Sequence, residues 1–266
     1  MHKITTPILK PVVIIPSFDR PASLRAACWS ALAALPDEGQ LVVIDDGLIH
    51  PAKQSLQEIL DPRLKIFKTA GGSGPSAARN IGAKNTSADV LFFLDDDDIL
   101  LPDYIRKTLD VLAMDDCDSE FGFSAAICGK KVICNRRTTG ELAPDVALKH
   151  RLAGLGMGFW IKLSTFRSIG GLDETIFVNE DTDLCLRLAQ SNTKGWYSVD
   201  PGVRLRPNQR AFSSNARFSL TARTSSQIRL KVYERLLFQY EELLDKSEDV
   251  RWLFAKRVAK LRRHFW

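Results

Sequence analysis

Three short apolar runs punctuate the first hundred residues, Val12-Val13-Ile14-Ile15, Leu41-Val42-Val43-Ile44 and Val90–Leu94, and Leu64–Thr69, with its two lysines, is expected to be a further strand. The three runs are rich in β-branched and aromatic residues, and Pro, Gly or Asp bounds them, as expected of strands buried on both faces. Between them the apolar period changes to that of a helix. Leu24, Cys28, Ala31, Leu32 and Leu35 follow Pro21 at helical spacing. Further helices are expected over Ala52–Leu60, from Pro75 to about Asn85, and from Pro102 to about Met114. Strands alternating with helices predict an α/β fold, a mostly parallel sheet covered by helices on both faces. Such sheets bind ligands at the carboxyl ends of their strands. Three of these ends are polar: Pro16-Ser17-Phe18-Asp19-Arg20, Asp45-Asp46-Gly47 and Asp95-Asp96-Asp97-Asp98. The fold therefore gathers them at one edge.

The second half is less regular. Strands are expected at Phe121–Ile127, Lys130–Asn135 and Gly156–Leu163, with a short helix closed by Gly170-Gly171. Leu184, Cys185 and Leu188 mark a helix over Asp181–Gln190, and two more helices are expected at Ser225–Leu244 and Val250–His264.

At 266 residues, 45% hydrophobic and 26% charged, the chain is ordinary globular material, which excludes disordered and disulfide-knot classes. No apolar run approaches the roughly 20 residues that span a bilayer, and Met1–Lys10 lacks a secretory core, so a cytoplasmic protein is expected. The five Cys include no C-x-x-C pair and read as small core residues in a reducing compartment. Trp29 and Trp196 read as core too. The net charge of +5 is unevenly placed: residues 201–266 hold 15 basic and 6 acidic side chains, so a slightly acidic body carries a basic tail.

Four consecutive carboxylates at Asp95–Asp98 repel one another at the end of a buried strand unless a cation balances them. Hard oxygen ligands suit Mg²⁺ or Mn²⁺, while helix capping is the plainer reading. Asp45-Asp46-Gly47 fits either a turn or a carboxylate that accepts a base N–H. Gly71-Gly72-Ser73-Gly74-Pro75 fits a phosphate-cradling loop or a flexible one, and Arg79 lies one turn into the following helix. Glu180-Asp181-Thr182-Asp183 fits capping or a general base. The four His form no cluster, which leaves Ser-His-Asp and His-Cys metal chemistry without support.

These segments resemble family 2 glycosyltransferases. Val13–Arg20 resembles their V-I-I-P-T-Y-N-R, Val43–Gly47 their V-V-D-D-G, and Ala78-Arg79-Asn80-Ile81-Gly82 their A-R-N-x-G. Phe93–Asp98 resembles F-L-D-x-D-D, and Gly170–Glu174 followed by Glu180–Leu188 resembles G-G-F-D-E…E-D-x-D-L-x-L-R. The resemblance covers residues 12 to about 200. It implies a GT-A (Rossmann-like) fold and inverting transfer from a nucleotide-diphosphate sugar, UDP by default, with Mg²⁺ or Mn²⁺ as cofactor. On it, Asp46 with Asp45 would hold the base, and Pro16, Ser17, Phe18 and Arg20 would line the nucleotide pocket. Arg79 would lie near base or phosphates, Asp95 and Asp96 would contact the nucleotide, Asp97 with Asp95 would hold the metal, and Asp181 would be the general base. Phe159, Trp160, Glu180 and Arg206 are candidates for acceptor or diphosphate contacts.

Two departures stand out. Leu48 replaces the usual Ser after D-D-G, and Arg204-Leu205-Arg206-Pro207 occupies a region where many members carry a His. Arg206 then reads as a substitute fixed charge or as the start of the basic tail. The division implied is a glycosyltransferase domain over 1–210, with a nucleotide half to about 115 and an acceptor half beyond it, and a basic helical tail over 211–266. In that tail Val250, Phe254, Val258, Leu261 and Phe265 share one face. They suit the inner face of a membrane, a partner subunit in a homo-oligomer, or the chain's own body. The acceptor implied is a glycan or a lipid-linked sugar, as in polysaccharide or envelope assembly. A sugar-nucleotide nucleotidyltransferase is the first rival, but it would want glycines directly after the first strand. A non-catalytic nucleotide- or lipid-binding homologue and a nucleic-acid binder are the others; the intact carboxylates oppose the former, and no reader motif supports the latter.

Overall fold

The computed structural model describes residues 8–134, 136–144, 155–206 and 224–263. One sheet organises the body. Its first four strands, β1 (Pro11–Ser17), β2 (Gln40–Asp45), β3 (Leu64–Lys68) and β4 (Val90–Phe93), are parallel and ordered β3-β2-β1-β4. Helices α1 (Pro21–Ala34), α2 (Ala52–Ser55) and α3 (Pro75–Lys84) make the crossovers. Successive β1 side chains point to opposite faces. Val13 and Ile15 pack with Leu24, Cys28 and Leu32 of α1, while Val12 and Ile14 pack with Ala78 of α3 and Phe93. This doubly covered sheet is the arrangement expected from the apolar runs.

Beyond β4 the sheet continues through β9 (Trp160–Lys162), antiparallel to β4, then β6 (Phe121–Cys128) and β10 (Gly195–Leu205). Three short strands pair antiparallel at its margin: β5 (Ile99–Leu100) and β8 (Gly140–Leu142) on β10, and β7 (Lys131–Ile133) on β6. The apolar pattern does not mark β5, β8 or β10. β5 has two residues, and β10 shifts register around Pro201, whose missing N–H and following glycine disguise a strand. The strand expected over Gly156–Leu163 shrinks to β9, because Gly158 at φ 61° turns the chain first. The helix expected over Ala52–Leu60 stops after one turn: Pro62 follows closely, and Arg63 pulls the chain inward by donating to the carbonyls of Leu32, Leu35 and Pro36. The helix from Pro102 begins later, as α4 (Tyr104–Leu112). Trp29 is half exposed, and Cys134 is exposed, so neither is core.

After α5 (Leu163–Ser168) comes α6 (Glu180–Gln190). The tail forms α7 (Ser226–Gln239), α8 (Glu241–Asp245) and α9 (Glu248–Arg262); a break at Tyr240 (φ −115°, ψ 25°) splits the single helix expected over Ser225–Leu244. Val250, Phe254, Val258 and Leu261 are buried against Tyr233, Leu236, Tyr240 and Leu244, and that cluster also takes in Ile176 and Leu186 of the body. The stripe offered to a membrane or a second subunit is thus covered by the chain's own helices. Asn135, His150, Pro207, His264, Phe265 and Trp266, and the boundary placed at 210/211, lie outside the described residues.

Candidate active site

The β1, β2 and β4 ends meet as expected. Ser17 is buried, and its carbonyl accepts the Asp46 N–H at 2.9 Å. Asp19, which sequence reasoning left without a role, adopts φ 53°, uncommon for any residue but Gly. Its carboxylate accepts the amides of Ile49 and His50 at 2.8 Å and of Leu48 at 3.2 Å, tying the loop after β2 to the loop after β1.

Asp45 and Asp46 are both buried. Asp45 accepts the Gly47 amide at 3.2 Å and the first amide of α2, Ala52, at 2.9 Å. Asp46 accepts the Thr69 hydroxyl and the amides of Ser73 and Gly74 at 2.8 Å. The glycine loop therefore folds around Asp46, and Gly74, at φ 91°, supplies a backbone conformation that L side chains rarely adopt. A carboxylate has about four acceptor positions, so at most one remains on Asp46 and two on Asp45.

The acidic run divides its work. Arg20 donates to Asp96 at 2.8 Å and pairs with Asp97 at 2.9 Å, and the Phe18 amide reaches Asp96 at 3.2 Å. Asp98 accepts the Arg206 backbone N–H at 2.9 Å. Burial pushes the Asp96 carboxyl up to about 6 and the Asp98 carboxyl up to about 8, the latter helped by Asp95. Burial also raises Asp97, against the opposing charges of Arg20 and Arg206. Arg206 thus supplies positive charge to this loop. Gly156 lies against the same loop: a Cβ there would sit 2.8 Å from an Asp95 oxygen, so only glycine lets the chain pass so close. The sole sequence signal for this was the glycine spacing of Gly154, Gly156 and Gly158.

Arg79 is buried and bridges two segments. It donates to Asp95 at 2.7 Å and to Glu180, the first residue of α6, at 3.0 Å, with its guanidinium 6.0 Å from the Phe93 ring centre. Its role is to lock the acidic loop to α6. Burial raises both Glu180, to about 7, and Asp181. Among the described residues Asp181 accepts only from Thr182, at 2.8 Å from its amide and 3.4 Å from its hydroxyl. Phe159 and Trp160, expected near the acceptor, are wholly buried instead: Phe159 stacks on Phe93 at 5.9 Å, and Trp160 packs with the α1 side of the core. Phe159 cannot touch a substrate without unpacking the sheet, and Trp160 exposes only 1% of its surface.

Residues 12–178 match glycosyl transferase family 2, well over half of the chain. An uncharacterized glycosyltransferase of Haemophilus influenzae is 25% identical over 194 residues, 71% of this chain and 65% of that protein. The UDP-Glc:alpha-D-GlcNAc-diphosphoundecaprenol beta-1,3-glucosyltransferase WfgD of Escherichia coli is 24% identical over 141 residues, 51% of this chain and 56% of that one. The chain thus spans no more than about two thirds of these relatives' length. The crystal structure of Staphylococcus aureus TarS 1–349 in complex with UDP aligns over 97% of this chain and 72% of that chain, with a TM-score of 0.70 at 17% identity, which shows a shared GT-A fold. Five motifs, one sheet and a match across residues 12–178 agree: the chain belongs to glycosyl transferase family 2.

Proposed function

We propose that the protein is an inverting glycosyltransferase that moves a sugar from a UDP-sugar to a hydroxyl of a glycan or lipid-linked acceptor in cell-envelope assembly. The observation that carries this reading is the Arg79 bridge, which holds the Glu180-Asp181 pair beside the acidic loop. A base and a leaving-group site are thereby fixed on one rigid frame, as an in-line displacement requires. The names of WfgD and of the TarS complex point to UDP as the nucleotide.

In this reading the loops after β1 and β2, held by Asp19, Asp45 and Asp46, form the nucleotide pocket with Pro16, Ser17 and Phe18. Arg20 orients the acidic loop. Asp181 takes the proton from the acceptor hydroxyl as that oxygen attacks the anomeric carbon. Its raised affinity for protons, a result of burial, suits a base working near neutral pH. Carboxylate oxygens suit a hard divalent cation, and burial disfavours the charge on Asp97, which a cation would relieve. Asp97 and Asp95 would hold Mg²⁺ or Mn²⁺, which when bound neutralises charge on the departing diphosphate. Arg206 adds fixed positive charge there.

No helix among the described residues is long and apolar enough to cross a membrane. We place the protein in the cytoplasm. Peripheral contact through 250–266 would have to use the outer face of α9, where Lys256 lies 4.6 Å from the ring centre of exposed Trp252, since the apolar stripe is covered.

The test is UDP release from UDP-glucose and UDP-GlcNAc, with water taking the sugar in place of the acceptor hydroxyl, and a thermal-shift panel of UDP, GDP and ADP in Mn²⁺ or EDTA. Stabilisation by UDP above the others, strengthened by Mn²⁺, is expected. Equal indifference to all three nucleotides would overturn the reading.

A further inference from the structure

The tail helices and the base-bearing helix meet through one buried polar chain. Tyr240, at the break between α7 and α8, donates its hydroxyl to Asp183 Oδ1 at 2.7 Å. Asp183 Oδ2 accepts from Arg187 Nε at 2.9 Å and from its terminal nitrogen at 2.7 Å. The other Arg187 nitrogen donates to the carbonyls of Ile169 at 2.7 Å and Gly171 at 2.5 Å. Asp183 is 1% exposed and Tyr240 3%, so water does not compete at this joint. Asp183 lies in the first turn of α6, two residues from Asp181. A second joint lies beside it: Arg235 of α7 donates to Asp173 at 2.7 Å and to Thr175 at 2.8 Å, on the segment leading into α6. Ile176 of that segment is buried in the tail cluster, and its carbonyl accepts the Ser76 hydroxyl of α3 at 3.2 Å.

The body's other connections explain why such a joint matters. The only described side-chain tie from the Glu180-Asp181 pair to the sheet side is Arg79, and α6 begins on Asn179, at φ 65°, with no side-chain cap. The start of α6 is thus held from one side by Arg79 and from the other by the tail.

We infer that the tail is a positioning strut for the catalytic helix, with Tyr240, acting through Asp183, as its contact residue. This rests on the proposed role of Asp181. Tyr240 touches no substrate; its hydroxyl fixes the first turn of α6 and so the direction of the Asp181 carboxylate. A misplacement of about 1 Å at a base can cost ~10²-fold in rate, so a hydrogen bond outside the site is enough to be read in turnover. A tail that served only as packing would depend on the ring of Tyr240 and be indifferent to its hydroxyl.

The experiment compares Tyr240→Phe, Tyr240→Ala and, as a control on the same helix, the exposed Phe238→Ser. UDP release from UDP-glucose, UDP affinity and amide hydrogen exchange of residues 180–188 are measured on the full chain. Tyr240→Phe is expected to lower kcat about 10-fold or more with UDP affinity within about twofold, and to speed exchange in α6 while α3 stays protected. Phe238→Ser is expected to match the wild type. Wild-type kcat and unchanged α6 protection in Tyr240→Phe would overturn the strut, as would a loss of UDP affinity equal to the loss of kcat. Should the wild type release no UDP from either sugar nucleotide, the donor part of the proposed function fails, and exchange in α6 alone decides whether Tyr240 holds the helix.

Discussion

Residues 95–98 carry four carboxylates and residues 180–183 carry three, yet their partners give the two runs different work. In the loop after β4 the carboxylates outnumber the cations that reach them. Arg20 serves Asp96 and Asp97, Arg79 serves Asp95, and Asp98 has a backbone amide. Burial then raises three of the four, so these groups hold their protons more tightly than a free carboxyl does, protons that a bound cation would displace. At the start of α6 each carboxylate has a separate fate. Glu180 pairs with Arg79, Asp183 with Arg187 and Tyr240, and among the described residues Asp181 accepts only from Thr182. Sequence alone offers capping or metal binding for the first run and capping or a general base for the second; the partners, most of them distant in sequence, separate a loop crowded with carboxylates from a helix start in which Glu180 and Asp183 are anchored on either side of Asp181.

The largest break in this comparison should come from removing the base. Asp181→Asn keeps the shape and the Thr182 hydrogen bond but cannot take a proton. General-base catalysis contributes about 10²–10⁴-fold, and the loss should appear in kcat of UDP release with UDP affinity nearly unchanged. Retained kcat would move the base to Glu180.

Removing an anchor should instead be felt in stability. Arg187→Ala leaves the carboxylate of Asp183, 1% exposed, with only the Tyr240 hydroxyl. Breaking a buried ion pair costs roughly 3–5 kcal/mol, so Tm should fall by about 10 °C for a chain of this size. A variant within about 2 °C of wild type would show that Asp183 readily finds water, and that the two acidic runs are less different than their partners suggest.

The loop should answer to metal rather than to fold. Asp97→Ala removes a carboxylate that is 35% exposed and leaves Arg20 its partner Asp96, so the apo protein should melt near the wild type, while the extra stabilisation of UDP by Mn²⁺ disappears. A ligand at 100-fold above its Kd stabilises by about 2.7 kcal/mol, which makes the lost shift several degrees. An undiminished Mn²⁺ effect would pass the metal role to Asp95 alone.

How much of this was legible in the sequence follows the same division. The strands β1, β2 and β4 and their loops could be read because a doubly buried parallel strand is a continuous apolar run, and because chemistry collects at its end. Arg20, Asp95–Asp98 and Arg79 could be placed at one edge for that reason, whereas Glu180 and Asp181 were tied to the site only by the family resemblance. What could not be read was pairing across the chain. Arg79 with Glu180, Asp19 with the amides of Leu48–His50, and Tyr240 with Asp183 depend on the fold, not on local pattern. Aromatic residues misled in both directions: Phe159 and Trp160 beside glycines suggested a binding surface and are core, while Trp29 at a helical apolar position is half exposed. The apolar face of α9 was visible, but a stripe says only that something covers it, and here α7 and α8 do.

The smallest effect is a change in the slope of stability with pH. Glu180 is buried beside Arg79 and Asp181; burial pushes its carboxyl up to about 7 from an ordinary 4.5, and raises Asp181 as well. The two interact, so their protons leave as a pair. Because the folded chain holds these protons more tightly than the unfolded one, their contribution to stability is complete below about pH 4 and is lost as pH rises through about 7. Asp96 and Asp98 act in the same direction, Asp98 up to about 8. Glu180→Gln fixes the neutral form at every pH and keeps an acceptor for Arg79. In EDTA, its Tm should lie near the wild-type value at pH 5 and a few degrees above it at pH 8, giving a shallower decline between them. A decline as steep as wild type would mean that Arg79 keeps Glu180 ionised throughout, and the charge excess would then belong to the β4 loop alone.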